Sequence, residues 1–190
     1  MIIKYNGMIC FGETDYDGGS NSDEIYLVTT VTTYEAAWLG NGQKKPTVRS
    51  ALVGVYDDVD AGETYPDSSI LYIGNIQDMT FAATCMEQDY GDPNALKTQI
   101  QQVAQAAADA GHAAGYDVPS WAPGLVATIG SALLGTGDDP LGTDSKVFTA
   151  ADLQAMLNQP TQHERGLAYH FFTFHNGEGS TYKFYFELIR

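Results

Sequence analysis

The sequence predicts a mainly β protein, an antiparallel β-sandwich with an inserted α-helical hairpin, and three observations predict it. Short runs rich in Val, Ile, Thr and Tyr recur with Gly, Pro and Asp between them, as expected of many strands joined by turns. Twelve tyrosines and eight phenylalanines supply side chains that suit a pleated, half-buried surface. Over about residues 93–135 the apolar spacing changes from two to three and four, which marks helix. One domain over residues 1–190, with about seven or eight strands, accommodates all of this.

The elements follow in order. Ile2-Ile3-Lys4-Tyr5 and Met8-Ile9-Cys10-Phe11 are strand-like, as are residues 24–32, 47–56, 69–74 and 79–86. Tyr34-Glu35-Ala36-Ala37-Trp38-Leu39 suggests a short helical turn closed by Gly40-Asn41-Gly42. Asp92 suits a helix N-cap with Pro93 in the first helical position, and Leu96, Ile100, Val103, Ala107, Ala110 and Ala114 then form one stripe. A second helix opens at Ser120 or Trp121, buries Leu125, Val126, Ile129, Ala132 and Leu133, and closes at Gly135. Thr149 caps a short helix reaching Leu157. The chain finishes in a β-hairpin, 167–174 against 182–188, turning through Asn176-Gly177-Glu178-Gly179. In its second strand Tyr182, Phe184, Phe186 and Leu188 share one face, and Lys183, Tyr185 and Glu187 the other.

Composition limits the partners. The chain has 24 acidic and 9 basic residues, a net charge of −15, which excludes nucleic acid because phosphates demand clustered Lys and Arg. The same charge opposes an anionic membrane unless bound calcium reverses the local sign. Met1-Ile2-Ile3-Lys4 does not resemble a signal peptide, while frequent Gly, Thr, Ser and Asn suit an extracellular or assembled protein. No uninterrupted apolar run reaches the roughly 18 residues of a spanning helix. Cys10 and Cys85 both sit in strand-like runs, and pairing or burial as thiols both remain open.

The chemistry lies in four acidic segments. Glu13-Thr14-Asp15-Tyr16-Asp17-Gly18-Gly19-Ser20-Asn21-Ser22-Asp23-Glu24 sets oxygen-bearing side chains at alternate positions, then a glycine, then a closing carboxylate. A chain wraps a hard divalent cation in this way, offering about six to eight oxygens at roughly 2.3–2.6 Å. The spacing matches the EF-hand loop at Asp15, Asp17, Gly18 and Glu24, but the flanks are strand-like, so the loop joins two strands at a sandwich rim. Asp57-Asp58-Val59-Asp60-Ala61-Gly62-Glu63, Glu87-Gln88-Asp89-Tyr90-Gly91-Asp92 and Gly137-Asp138-Asp139-Pro140-Leu141-Gly142-Thr143-Asp144 each begin where a regular element ends. Two carboxylates about 5 Å apart repel by roughly 3 kcal/mol at an effective dielectric near 20, so convergence of these loops calls for a counter-cation. The expected calcium ligands are Glu13, Asp15, Asp17, Asp23, Glu24, Asp57, Asp58, Asp60, Asp89, Asp138 and Asp139. The alternative is separate solvated loops.

Catalysis finds little support. His170 and His175, five apart on a strand, point to opposite faces, and His163 and Glu164 lie in a loop without evident partners. Neither a Gly-x-Ser-x-Gly elbow, Cys-x-x-Cys, His-Glu-x-x-His nor a phosphate-cradling loop occurs. Asp15, Asp57 and Asp58 could hold a hydrolytic metal and water, yet no histidine or lysine stands beside them. The expectation is a non-enzymatic protein.

Acidic loops after successive strands resemble the calcium-dependent sandwich domains of the synaptotagmin type. Ser22-Asp23-Glu24-Ile25-Tyr26-Leu27, Glu87-Gln88-Asp89 and Gly137-Asp138-Asp139-Pro140-Leu141-Gly142 are also similar to a group of uncharacterised microbial proteins whose sandwich carries a helical insertion. The chain departs from the synaptotagmin type in that insertion and in lacking a basic strand for phosphoinositides, so phospholipid binding does not carry over. The resemblance implies the fold and calcium ligation by Asp15, Asp17, Asp58, Asp60, Asp138 and Asp139. The expected function is a calcium-binding module supporting assembly, adhesion or toxin action, with calcium-dependent membrane contact a further partner. Two alternatives stand beside it. One is a membrane-acting toxin whose small-residue helical hairpin inserts. The other is a self-associating protein that donates Met1-Ile2-Ile3-Lys4-Tyr5 as a strand.

Overall fold

The computed structural model describes residues 1–12, 23–35, 45–88, 91–115, 118–133, 138–168, 170–175 and 180–190, with the backbone alone at 23, 34–35, 118–123, 139, 168 and 170–175. Its elements run β1 (Ile2–Gly12), β2 (Asp23–Glu35), β3 (Lys45–Val59), β4 (Thr64–Pro66), β5 (Ile70–Ile73), β6 (Met79–Glu87), α1 (Pro93–Ala113), α2 (Val118–Ala132) and β7 (Asp139–Phe148). They continue with α3 (Ala150–Leu157), β8 (His163–Glu164), β9 (Leu167–Ala168), β10 (His170–His175) and β11 (Thr181–Ile189). The protein is mostly β, and every strand pair among the described residues is antiparallel. One sheet has the order β10-β11-β1-β4, with β5 also on β1; a second has the order β3-β2-β6-β7, and β8 and β9 pair as a small third sheet.

Alternation along the strands builds two cores. Ile25, Leu27 and Val31 of β2, with Phe81, Ala83 and Cys85 of β6, share a cluster with Ile3, Tyr5, Met8, Phe184 and Phe186 of the other sheet. Phe81 meets Phe186 edge-on at 4.7 Å between ring centroids, a contact that joins the sheets. The opposite face of the four-stranded sheet, with Tyr26, Val28, Ala82 and Met86, packs on Leu96, Ile100, Ala104 and Ala108 of α1 and Leu125 and Ile129 of α2. Burial on both faces explains the almost continuous apolar run of β6. The terminal strand follows the expected alternation: Tyr182, Phe184 and Phe186 enter the first core, while Tyr185 packs with Ile9 and Leu167.

Several elements differ from expectation. Tyr34 and Glu35 extend β2 rather than opening a helical turn, and 36–39 lie outside the described residues. The expected acidic loop after α2 is largely strand: residues 139–148 form β7 along β6. Pro140 is tolerated because β7 is an edge strand, where no ladder bond is needed on its outer side. α2 begins at Val118, two residues before Ser120. The buried stripe of α1 is Leu96, Ile100, Ala104 and Ala108, a four-residue ridge, leaving Val103 and Ala107 half-buried and Ala110 and Ala114 exposed. Cys10 and Cys85 are buried thiols rather than a disulfide.

Helix ends obey their local chemistry. Asp92 accepts from the Asn94 N–H at 2.9 Å ahead of Pro93. Thr149 and Asp152 cap each other reciprocally at α3, and these hydrogen bonds hold the Asp152 carboxyl below its ordinary range. Lowered in the folded state, that group supports α3 above the ordinary carboxylate range and withdraws support as pH falls through its folded value. Thr149→Ala is expected to cost about 1 kcal/mol in urea unfolding at neutral pH.

The sheet margins are covered in places. β1 lies between β11 and β4/β5, with the Met1 ammonium donating to the Gly74 carbonyl at 2.9 Å, so this strand is committed within its own sheet. On the edge strand β3, the Gln105 side chain accepts from the Val48 N–H at 3.1 Å and donates to the Pro46 carbonyl at 3.2 Å. Such bonds occupy backbone groups that could otherwise recruit a foreign strand.

Candidate metal centre

Register decides which acidic segments can meet. Asp23 pairs with Val59, Ile25 with Glu87, and Glu87 with Asp139. The Gln88 N–H donates to the Glu24 carbonyl at 2.7 Å, extending the same row. The start of β2, the end of β3, the end of β6 and the start of β7 therefore stand side by side at one end of the four-stranded sheet. Lys45 opposite Glu35, and Met79 opposite Phe148, mark the other end. Backbone pairing thus places Asp23, Glu24, Asp57, Asp58, Asp60, Asp138 and Asp139 on or beside this row. Glu13, Asp15, Asp17 and Asp89 lie outside the described residues.

The turn after β3 is held from within. The Asp60 N–H donates to the Tyr65 hydroxyl at 2.7 Å, and that hydroxyl lies 3.1 Å from the Asp58 carbonyl and 3.2 Å from Glu63 Oε2. The Tyr65 ring meets that of Tyr56 at a tilt, with centroids 5.1 Å apart, and the Tyr56 hydroxyl lies 2.9 Å from that of Tyr5 in the core. The Gly62 N–H donates to the Cys10 carbonyl at 2.9 Å, while Arg165 Nη1 donates to the Gly62 carbonyl at 2.8 Å. The carbonyls of Asp58, Asp60, Gly62 and Glu63 all accept protein hydrogen bonds. The side chains of Asp57, Asp58, Asp60 and Glu63 are exposed, so they are the oxygens this turn offers a cation.

Asp138 is different. It is 5% exposed, accepts from the Tyr26 hydroxyl at 2.6 Å on one oxygen, and accepts from the Gly91 N–H at 2.6 Å on the other. α1 begins at Pro93, two residues after Gly91, and its N-terminal dipole favours a negative charge there. A Cβ at Gly91 would run into the Asp138 carboxylate, so any larger residue there displaces that side chain from its two donors. Asp138 therefore ties the start of β7 to the α1 entrance and to Tyr26.

Two cations face the Phe11 ring, and one of them, Arg165, reaches the acidic turn. Arg165 lies 5.3 Å and Lys183 4.8 Å from the Phe11 ring centroid, and Glu164 accepts from Tyr185 at 2.6 Å while standing 3.6 Å from Lys183. Arg165 has φ 48 and Gly166 φ 87, a two-residue reversal between β8 and β9 that aims the guanidinium at Gly62. Among the described residues no group of three or more His, Cys, Asp or Glu side chains forms a ready metal cage. Sequence reasoning missed Tyr26, Tyr65, Gly91 and Arg165. Their roles depend on partners between 2 and 112 positions away, and no local pattern marks them.

The tyrosine ladder gives a pH dependence. Burial raises the Tyr5 hydroxyl well above its ordinary value, burial likewise raises Tyr56, and burial with the neighbouring Glu63 pushes Tyr65 up to about 12. Raised folded-state values mean that stability is complete below the ordinary tyrosine value of about 10 and falls as pH climbs towards the folded values. Alkaline titration is expected to show phenolate absorbance from these residues arriving with unfolding, above about pH 10. Early ionisation of all twelve tyrosines in a folded protein would contradict the ladder.

No protein-family model matches the chain, and no curated protein or solved structure matches it either.

Proposed function

We propose that this chain is a non-enzymatic calcium-binding module, a β-sandwich in which α1 and α2 form an inserted helical hairpin. Support comes above all from the row of strand ends that sets the acidic segments beside one another. Asp57, Asp58 and Asp60 are exposed carboxylates on the described part of that row, and the Tyr65 hydroxyl braces the backbone beneath them. Their all-oxygen chemistry suits a hard cation such as calcium better than a soft one. Calcium here would serve assembly, adhesion or membrane contact by cancelling the local negative field.

Thermal melting tests the reading. Calcium at about one hundred times its dissociation constant is expected to add about 2.7 kcal/mol of stability by mass action. Modules of extracellular type bind with constants near 10⁻⁴–10⁻³ M, on the order of which the titration should run. Asp58→Asn should weaken the shift with little effect in chelator, since its side chain is exposed. Superimposed melting curves in calcium and in chelator would remove the proposal.

A second reading, membrane insertion of the hairpin, is favoured by α2, whose fifteen residues carry no charge. Leu125, Ile129 and Leu133 already bury against the sheet, and no helix of the described residues is long and apolar enough to cross a membrane. Dye release from liposomes with calcium present separates the two readings.

A further inference from the structure

A cleft of about 270 Å3 opens where α3 ends, walled by Met156, Leu157, Gln159, Thr161 and Gln162 and by Leu188 of β11. It is distant along the fold from the acidic row. Leu188 pairs with Ile3 near the start of β1, whereas the acidic turn meets β1 at Cys10. Met156, Leu157 and Leu188 are half-buried and give an apolar floor, while Gln159, Thr161 and Gln162 are exposed along the rim. Asn158, the neighbouring polar group, is occupied by Gln154 and Arg190.

The lining carries no formal charge, in a chain with 24 acidic and 9 basic residues. Without a carboxylate it has nothing to hold a cation, and without a lysine or arginine nothing to hold a phosphate or carboxylate. Carboxamides and a hydroxyl both donate and accept, which matches ligand hydroxyls that do the same. An apolar floor beneath such a rim fits a ring with one C–H face. The volume falls just below the roughly 300–1,000 Å3 of drug-sized sites, so the ligand is small.

We propose that this cleft binds a neutral, hydroxyl-rich ring of about monosaccharide size. The proposal is independent of calcium. Its test is a backbone-amide NMR titration of the whole chain, in chelator, with the methyl glycosides of glucose, galactose and mannose. At least one should give saturable shifts confined to residues 156–162 and the end of β11. Gln162→Ala and Gln159→Ala should each weaken that binding, by about tenfold for the loss of one well-placed hydrogen bond, with unchanged melting because both side chains are exposed. No saturable shift with any glycoside would overturn the proposal, as would shifts scattered over the surface or equal affinity in both variants. A neutral dipeptide amide that saturates the site when the glycosides do not would overturn the ligand class.

Discussion

Asp138→Ala is expected to lower stability by about 4 kcal/mol, because it orphans two donors that each cost about 1–3 kcal/mol when buried without a partner. Those donors are the Tyr26 hydroxyl and the Gly91 N–H. Tyr26 has no easy escape to water, since it is 0% exposed within the core beneath α1 and α2. Urea unfolding in chelator measures the effect free of any contribution from metal loss. Tyr26→Phe removes one member of the network and should cost less. The double variant should then be less damaging than the sum of the two, as expected for residues sharing a hydrogen bond. A loss below about 1 kcal/mol for Asp138→Ala would show that the carboxylate is not a structural tie.

Gly7→Ala is expected to cost about 3 kcal/mol, combining backbone strain of about 1–3 kcal/mol with a collision that the chain has no simple way to relieve. Gly7 has φ +133, and a Cβ there would run into the Tyr65 carbonyl and the Pro66 backbone of β4. The ladder register shifts at this point, between Tyr5 and Gly7, so the residue forms a bulge where β1 passes from β5 to β4. Gly62→Ala is the control. Its φ is +91 but nothing lies within 4 Å of the added atom, so it should pay strain alone, about 1 kcal/mol. Equal losses for the two variants would assign the whole effect to backbone conformation.

Much of the fold is legible because burial imposes a period. The terminal strand shows its two faces directly, and the step of four from Leu96 to Ile100 marks α1. Asp92-Pro93 and Thr149 announce helix starts because capping is local chemistry. β7 was not legible. An edge strand carrying Pro140, Gly142 and Asp144 obeys no alternation, and its identity comes from pairing with β6. β4 and β8 are too short for any period to show. At the site, the acidic residues are visible in sequence as types but not as roles. Asp58 and Asp138 look alike on paper, yet one is exposed and the other is buried between Tyr26 and Gly91. Solvation and partners make that difference, and both come from segments far apart in the chain.

Mapping where calcium perturbs the backbone amides tests the central claim most directly, because it reports position as well as binding. The prediction is saturable perturbation of Glu24, of Asp57, Asp58 and Asp60, and of Glu87 and Gln88, the row of strand ends at one end of the sheet. Lys45, Met79 and Phe148, which mark the opposite end, should not move. Perturbation centred on that opposite end, or none at millimolar calcium, would contradict a cation site at the acidic end of this sheet.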